Sequence, residues 1–215
     1  MDFLEKYGIN IKNKELLLEA LTHSSYSNEH DCNNYERLEF LGDAILEAIT
    51  SEYFYLNTTE KEGAMSKIRA SYVCENALAY YSKQIGIDKH IRVGNGQLSN
   101  INDTIIADCF ESVLAVIFLE CGFDVAKKYI YETVIPSIED KKDFLDDYKS
   151  KLQEMVQTDK KSLEYEVISE SGPAHDKTFE VVVKIDDIVY GKGIGKSKKD
   201  AEQKAALDAM NKCAK

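Results

Sequence analysis

Glu36, Glu39 and Asp43 stand at i, i+3 and i+7. At about 100° per residue, a helix carries all three carboxylates within an arc of roughly 60°. Leu38, Leu41, Ile45 and Ile49 project from the opposite side, where a core would lie. Like charges at such spacings cost a few tenths of a kcal/mol per pair. The face is therefore either simply solvated or built to hold positive charge. Phe40 falls within roughly 40° of Glu36, among the carboxylates rather than with the core. A large aromatic there is either one tolerated exposed residue or a contact that another surface covers, for which a second copy of the chain is the expected partner.

A second acidic group is sharper. Between Ile105 and Leu119 only Asp108, Glu111 and Ser112 are polar, and they share one narrow face. A helix apolar nearly all round is expected to be buried, and uncompensated buried carboxylates are costly. They must be protonated, paired with a base such as Arg37, Arg69 or Arg92, or bound to a cation. Oxygen-only donors without His or Cys suit hard cations, magnesium or manganese. Two such faces meeting would gather four or five carboxylates. That set can hold ions which activate water and stabilise a phosphodiester displacement, the equipment of a metal-dependent nuclease.

The positioning elements follow from periodicity. Helical patterns cover Glu15 to Leu21, where Asn13 is a plausible cap, then Glu36 to Tyr55, Ser66 to Ile85, Thr104 to Leu119 and Val125 to Val134. Pro136 opens a charged stretch suited to a linker. Beyond it, Tyr148 to Gln157 reads as a short helix. Glu164 to Ser169, Thr178 to Ile185 and Ile188 to Gly193 read as strands, the last two joined by a tight Asp186-Asp187 turn. Ser197 then caps a final alanine-rich helix. The expected architecture is an all-α domain over residues 1–138, a linker over 139–146 and a compact α-β-β-β-α domain over 147–215.

The 215 residues, 44% hydrophobic and 30% charged, suit an ordinary globular chain of one to two domains. The longest apolar run, Val113 to Leu119, is far short of the roughly 20 residues of a membrane span, so no membrane partner is expected. Five cysteines without a C-x-x-C pair suggest neither disulfide framework nor zinc site. With no signal-like start, a reduced, cytoplasmic protein is expected. The net charge of −11 counts against a general nucleic-acid binder. Partitioned, it reads differently: residues 1–145 hold 24 acids and 14 bases, whereas 146–215 hold 14 acids and 13 bases. Within the latter, Lys192, Lys196, Lys198, Lys199 and Lys204 outweigh Asp200 and Glu202. Lys198 and Lys199 fall in the first turn after Ser197, where helix N–H groups favour phosphate. Gly195-Lys196-Ser197 is not a P-loop, because Tyr190 occupies the position that needs glycine. The Gly191-x-Gly193-x-Gly195 run lies in a strand and makes no dinucleotide motif.

These segments resemble the ribonuclease III family along the whole chain and in family order. Tyr35-Glu36-Arg37-Leu38-Glu39-Phe40-Leu41-Gly42-Asp43-Ala44-Ile45-Leu46 resembles its signature, and Ala107-Asp108-Cys109-Phe110-Glu111-Ser112 its second acidic motif. Leu21 to Tyr26 and Glu62 to Ala70 resemble the segments before and between them. The resemblance implies a homodimeric, magnesium-dependent endonuclease (manganese can substitute) acting on double-stranded RNA and leaving 5′-phosphate and 3′-hydroxyl ends. The natural substrates it implies are ribosomal precursors, messages and small RNAs. It implies that Glu39, Asp43, Asp108 and Glu111 bind metal, that Glu36 and Glu62 serve the active-site valley, and that Phe40 inserts across the dimer interface. Tyr35 and Ser24 depart from the residues many members carry, Asn and Arg, which bears on local packing or substrate contacts. Residues 147–212 resemble a double-stranded-RNA-binding domain. There Gln153, Glu154 and Gln157 would touch 2′-hydroxyls, Gly172-Pro173-Ala174-His175 would enter the minor groove, and Ser197-Lys198-Lys199 would clamp phosphate. The alternative is a catalytically silent protein that only binds the duplex.

Overall fold

Asn13 accepts the N–H of Leu16 through its side chain at 3.0 Å, and helix α1 (Lys14–Glu19) begins there. The computed structural model describes residues 2–98, 101–144, 147–158, 161–173 and 177–213. It divides into two units, residues 1–145 and 146–215. In the first, α1 is followed by α2 (Ser24–His30), α3 (Glu36–Asn57), α4 (Glu62–Tyr72), α5 (Glu75–Ile85), α6 (Asp103–Cys121), α7 (Phe123–Thr133) and α8 (Ile135–Glu139). Short 3-10 turns cover Asp2–Tyr7, Ile87–His90 and Asn95–Gln97. Among the described residues of this unit there is no strand, as the missing period-two alternation requires.

Several elements differ from the periodic reading. The pattern expected as one helix from Ser66 to Ile85 breaks at Val73 and Cys74, where Cys74 is extended. The break lets Tyr72 and Tyr81 enter one core, and the Tyr81 hydroxyl donates to the Tyr72 carbonyl left open at the end of α4 (3.3 Å). Helix α2 has no apolar period to announce it. It is held instead by His23, whose Nδ1 accepts the N–H of Ser25 (3.1 Å). Pro136 lies in the first turn of α8, where its missing N–H has no partner to lose. Phe144, inside the expected linker, packs edge-on against Tyr72 and Tyr81 in the first core.

Helices α3 and α6 form the axis of the unit. Helix α3 buries Leu38, Gly42, Ile45, Leu46, Ile49 and Phe54 along one stripe. Helix α6, capped by Asn102, is enclosed along most of its length, with Phe110, Val113, Leu114 and Ile117 fully buried. At Gly42 the two backbones meet. A β-carbon there would overlap the carbonyl of Glu111, so only glycine permits this approach.

The second unit is α9 (Tyr148–Thr158), β1 (Leu163–Ser171), β2 (Thr178–Ile185), β3 (Ile188–Gly195) and α10 (Lys198–Cys213). The sheet is antiparallel in the order β1-β2-β3. Asp186 and Asp187 both adopt positive φ (48° and 64°), which suits the right-handed twist of a two-residue hairpin. Val181, Val183 and Ile185 face Leu152 and Val156 of α9 and Ala201, Ala205 and Ala209 of α10. The three strand glycines serve packing. β-Carbons on Gly191 and Gly193 would strike the backbone of α10, so glycine opposite alanine lets the helix lie directly on the strand. Among the described residues no helix is long and apolar enough to cross a membrane.

Candidate active site

The α3–α6 contact places the acidic residues. Glu36, Glu39 and Asp43 lie along α3, with Glu39 half-buried and the other two exposed. Asp108 and Glu111 on α6 are half-buried rather than enclosed as the apolar pattern suggested, because the polar edge of α6 runs along the open side of its contact with α3. Ser112 is the fully buried member of that face. Its hydroxyl donates to the carbonyl of Asp108 (2.8 Å) and, longer, to that of Tyr35 (3.4 Å). The Tyr35 hydroxyl in turn donates to Asp108 Oδ2 at 2.8 Å.

Electrostatics mark the same place. Burial pushes the Glu111 carboxyl up to about 8, and the negative charges of Asp43, Glu39, Asp108 and Glu47 add to the shift. Glu39 is raised by burial and then by Asp108, Glu36 and Asp43. Asp108 is raised by burial, against which the Tyr35 hydrogen bond acts. The Tyr35 phenol is held far above its ordinary range by burial and by the Asp108 carboxylate.

None of the three candidate arginines pairs with Glu39, Asp43, Asp108 or Glu111 themselves. Arg69 pairs with Glu47 (3.4 Å) and donates to Ser51 (2.7 Å). Arg92 donates to the Leu18 carbonyl (2.9 Å) and to the Thr22 hydroxyl, with its guanidinium over the Tyr26 ring. Arg37 is exposed. Among the described residues no three His, Cys, Asp or Glu side chains converge tightly enough to enclose an ion as they stand. Their mutual repulsion is offset only at Asp108, by the Tyr35 hydrogen bond and the nearby His23, and an all-oxygen donor set on two packed helices fits a hard divalent cation.

Glu62 stands apart. It begins α4, accepts the Ser66 hydroxyl (3.1 Å) and lines a cleft of about 230 Å³ with Ser51, Phe54, Tyr55, Met65 and Arg69. It is not among the charges that act on Glu111. Phe40 points outward with 81% of its surface exposed.

In the second unit, Gln153 is half-buried while Glu154 and Gln157 are exposed on α9. Gly172 (φ 94°) and Pro173 are exposed in the turn after β1, and the expected Ala174 and His175 lie outside the described residues. Ser197 accepts the N–H of Asp200 (3.1 Å) and Asp200 accepts that of Lys196 (3.1 Å), a reciprocal cap that fixes the start of α10. Lys198 and Lys199 are both exposed in that first turn, the Lys198 ammonium lying over the Phe179 ring at 5.9 Å. Lys192 and Lys204 are engaged with Glu180 and Asp200, which narrows the expected lysine patch to the helix start.

Two contributors escaped the sequence reading. Gly42 left a signal, a helix-weakening residue between two carboxylates of one face. Tyr35 was marked only as a departure bearing on local packing or substrate contacts, and its bond to Asp108, which spans 73 positions, was not anticipated.

A helical unit with crowded carboxylates on two packed helices, followed by an α-β-β-β-α unit with lysines at a helix start, is the plan of a two-part nuclease. Residues 13–138 match the Ribonuclease-III-like family model, and residues 148–213 the double-stranded RNA binding motif. The chain is 43% identical to Ribonuclease 3 of Streptococcus gordonii over 97% of its own length and 94% of that protein's. It is 42% identical to Ribonuclease 3 of Listeria monocytogenes over 97% and 95%. The nuclease domain of ribonuclease III from Campylobacter jejuni superposes with a TM-score of 0.58 at 32% identity, covering 62% of this chain and 94% of that one. The chain belongs to the ribonuclease III family.

Proposed function

We propose that this chain is an endoribonuclease that hydrolyses phosphodiester bonds of double-stranded RNA with magnesium, or manganese in its place. The observation that carries the reading is the carboxylate seam. Glu39, Asp43, Asp108 and Glu111 lie on two helices in contact, and among the described residues no lysine or arginine pairs with them; His23 alone acts favourably on Asp108. These four would hold the cation. A divalent ion so held lowers the pKa of water and offsets charge developing on the phosphate. The residues of the chain divide the remaining work. Glu36 extends the acidic face toward solvent, and Glu62 acts from its separate position on α4. Gln153, Glu154, Gln157 and the segment from Gly172 to His175 contact the shallow groove of A-form RNA, while Ser197, Lys198 and Lys199 clamp phosphate. The products carry 5′-phosphate and 3′-hydroxyl ends, and the substrates are cytoplasmic ribosomal precursors, messages and small RNAs. Residues 1–138 and 147–215 are the nuclease and binding domains, joined through 139–146.

The active form is a homodimer, with Phe40 of each copy reaching into the other. The exposure of Phe40 supports this, as does the cleft in which Phe54, Tyr55 and Met65 stand beside Ser51, Glu62, Ser66 and Arg69. The Campylobacter jejuni nuclease domain was itself studied for a region involved in dimer formation.

Incubation with a long RNA duplex tests the reading. Magnesium is expected to give discrete cleavage, and excess chelator to give binding without cleavage. Glu111→Gln should retain RNA affinity while losing cleavage. Intact duplex after incubation in magnesium would overturn the assignment.

A further inference from the structure

Tyr35 is buried to 4% exposure, and both faces of its peptide are tied down. Its N–H donates to the Thr22 carbonyl (2.9 Å). Its own carbonyl accepts the N–H groups of Leu38 (2.8 Å) and Glu39 (2.9 Å), the first turn of α3. The ring leans on His23 at 5.8 Å, tilted by 55°. From this fixed base the phenol crosses to α6 and donates to Asp108 Oδ2, and no other hydrogen bond to the Asp108 side chain forms among the described residues. Ser112 closes the arrangement, because its hydroxyl reaches the carbonyls of both Asp108 and Tyr35.

We infer that Tyr35 is a positioning residue for the metal centre, holding one carboxylate oxygen of Asp108 so that the other is presented to the cation. The inference rests on the reading of Glu39, Asp43, Asp108 and Glu111 as a cation site. Its physical basis is general. A ligating carboxylate needs a partner that fixes its orientation, and loss of such a partner typically weakens metal binding about 10- to 100-fold. Tyr35 also donates no charge, so it orients Asp108 without competing with the ion as an arginine would. Through its carbonyl, the same residue sets the backbone turn that carries Glu39. One side chain and one peptide thus reach a ligand on each helix.

Tyr35→Phe isolates the hydroxyl, since it retains the ring, its packing and every backbone bond. Manganese alone serves as probe, titrated into the full-length, RNA-free protein and followed by electron paramagnetic resonance. Wild-type protein is expected to bind manganese at a site that Glu111→Gln abolishes. Tyr35→Phe should raise the dissociation constant about tenfold while leaving duplex affinity in chelator unchanged. In an Asp108→Asn background the same substitution should have no further effect, because its action passes through that carboxylate. Should Tyr35→Phe fail to fold by circular dichroism, or should it bind manganese as tightly as wild type or tighter, the positioning role is overturned. Equal losses from Tyr35→Phe with and without Asp108 would also overturn it. Absence of Glu111-dependent manganese binding in wild-type protein would instead overturn the cation site itself.

Discussion

Glu111 carries a proton at pH values where an ordinary carboxyl has lost it, since burial and four neighbouring acids push it up to about 8. A carboxyl raised in the folded chain binds a proton more tightly there than in the unfolded one. The fold therefore has this contribution in full below the usual carboxylate range and loses it as pH rises through about 8. Glu39 and Asp108 shift in the same direction. In chelator, the wild-type melting temperature is expected to fall between pH 5 and pH 8.5 more steeply than that of Glu111→Gln. Calorimetry across that range checks it, and parallel curves would count against the clustering of charge. Magnesium should restore stability most at the alkaline end, where proton and cation no longer compete. The acidic members of the site were legible in the sequence because helical spacing and the scarcity of polar residues between Ile105 and Leu119 leave a direct trace. The contact of Tyr35 with Asp108 was not, for a reason of range. A hydrogen bond from the first turn of one helix to the middle of another follows from packing, which periodicity does not encode.

At the scale of elements, the site depends on how closely α3 and α6 approach. Gly42 sets that distance, since any side chain would collide with the backbone of Glu111. Gly42→Ala keeps all carboxylates and raises helix propensity, yet it is expected to destabilise the protein by about 1–3 kcal/mol through forced separation of the helices. Urea denaturation measures the first effect, and cleavage at saturating magnesium should fall with it. A variant as stable and active as wild type would show that the approach is not needed. Long apolar helices were legible as elements, but their ends and breaks were less so. The turn at Val73 and Cys74 interrupts a continuous helical pattern, and it exists because two tyrosines from successive helices share one core. Helix α2 is stabilised by a histidine cap and contacts to distant loops, such as the Gly94 N–H donating to Ser25 (2.9 Å), so its own sequence shows little amphipathic period. The second unit was more transparent, because alternation, hairpin residues and the small-residue face of α10 all point to one packing.

For the whole molecule, net charge misleads until it is divided. The excess acidity belongs to residues 1–145, whereas the proposed phosphate contacts lie with a few exposed groups at the start of α10. Duplex affinity in chelator should therefore fall linearly with salt on logarithmic axes despite the overall −11 charge. Replacing Lys198 and Lys199 together by alanine should reduce that slope by about two, one for each phosphate contact. An unchanged slope in fluorescence anisotropy titrations would remove both from the interface. Association adds a second whole-molecule test. Phe40→Ala is expected to shift sedimentation toward monomer and to reduce cleavage at low protein concentration, and an unaltered dimer would refute the interface role. The exposure of Phe40 also has an optical consequence. The chain holds thirteen tyrosines and no tryptophan, so its intrinsic emission is that of phenol alone. A single indole introduced as Phe40→Trp would be the one fluorophore in the molecule that emits at longer wavelength than tyrosine, with a maximum that shifts with solvent exposure. Its colour would report directly whether that position faces water or a second copy.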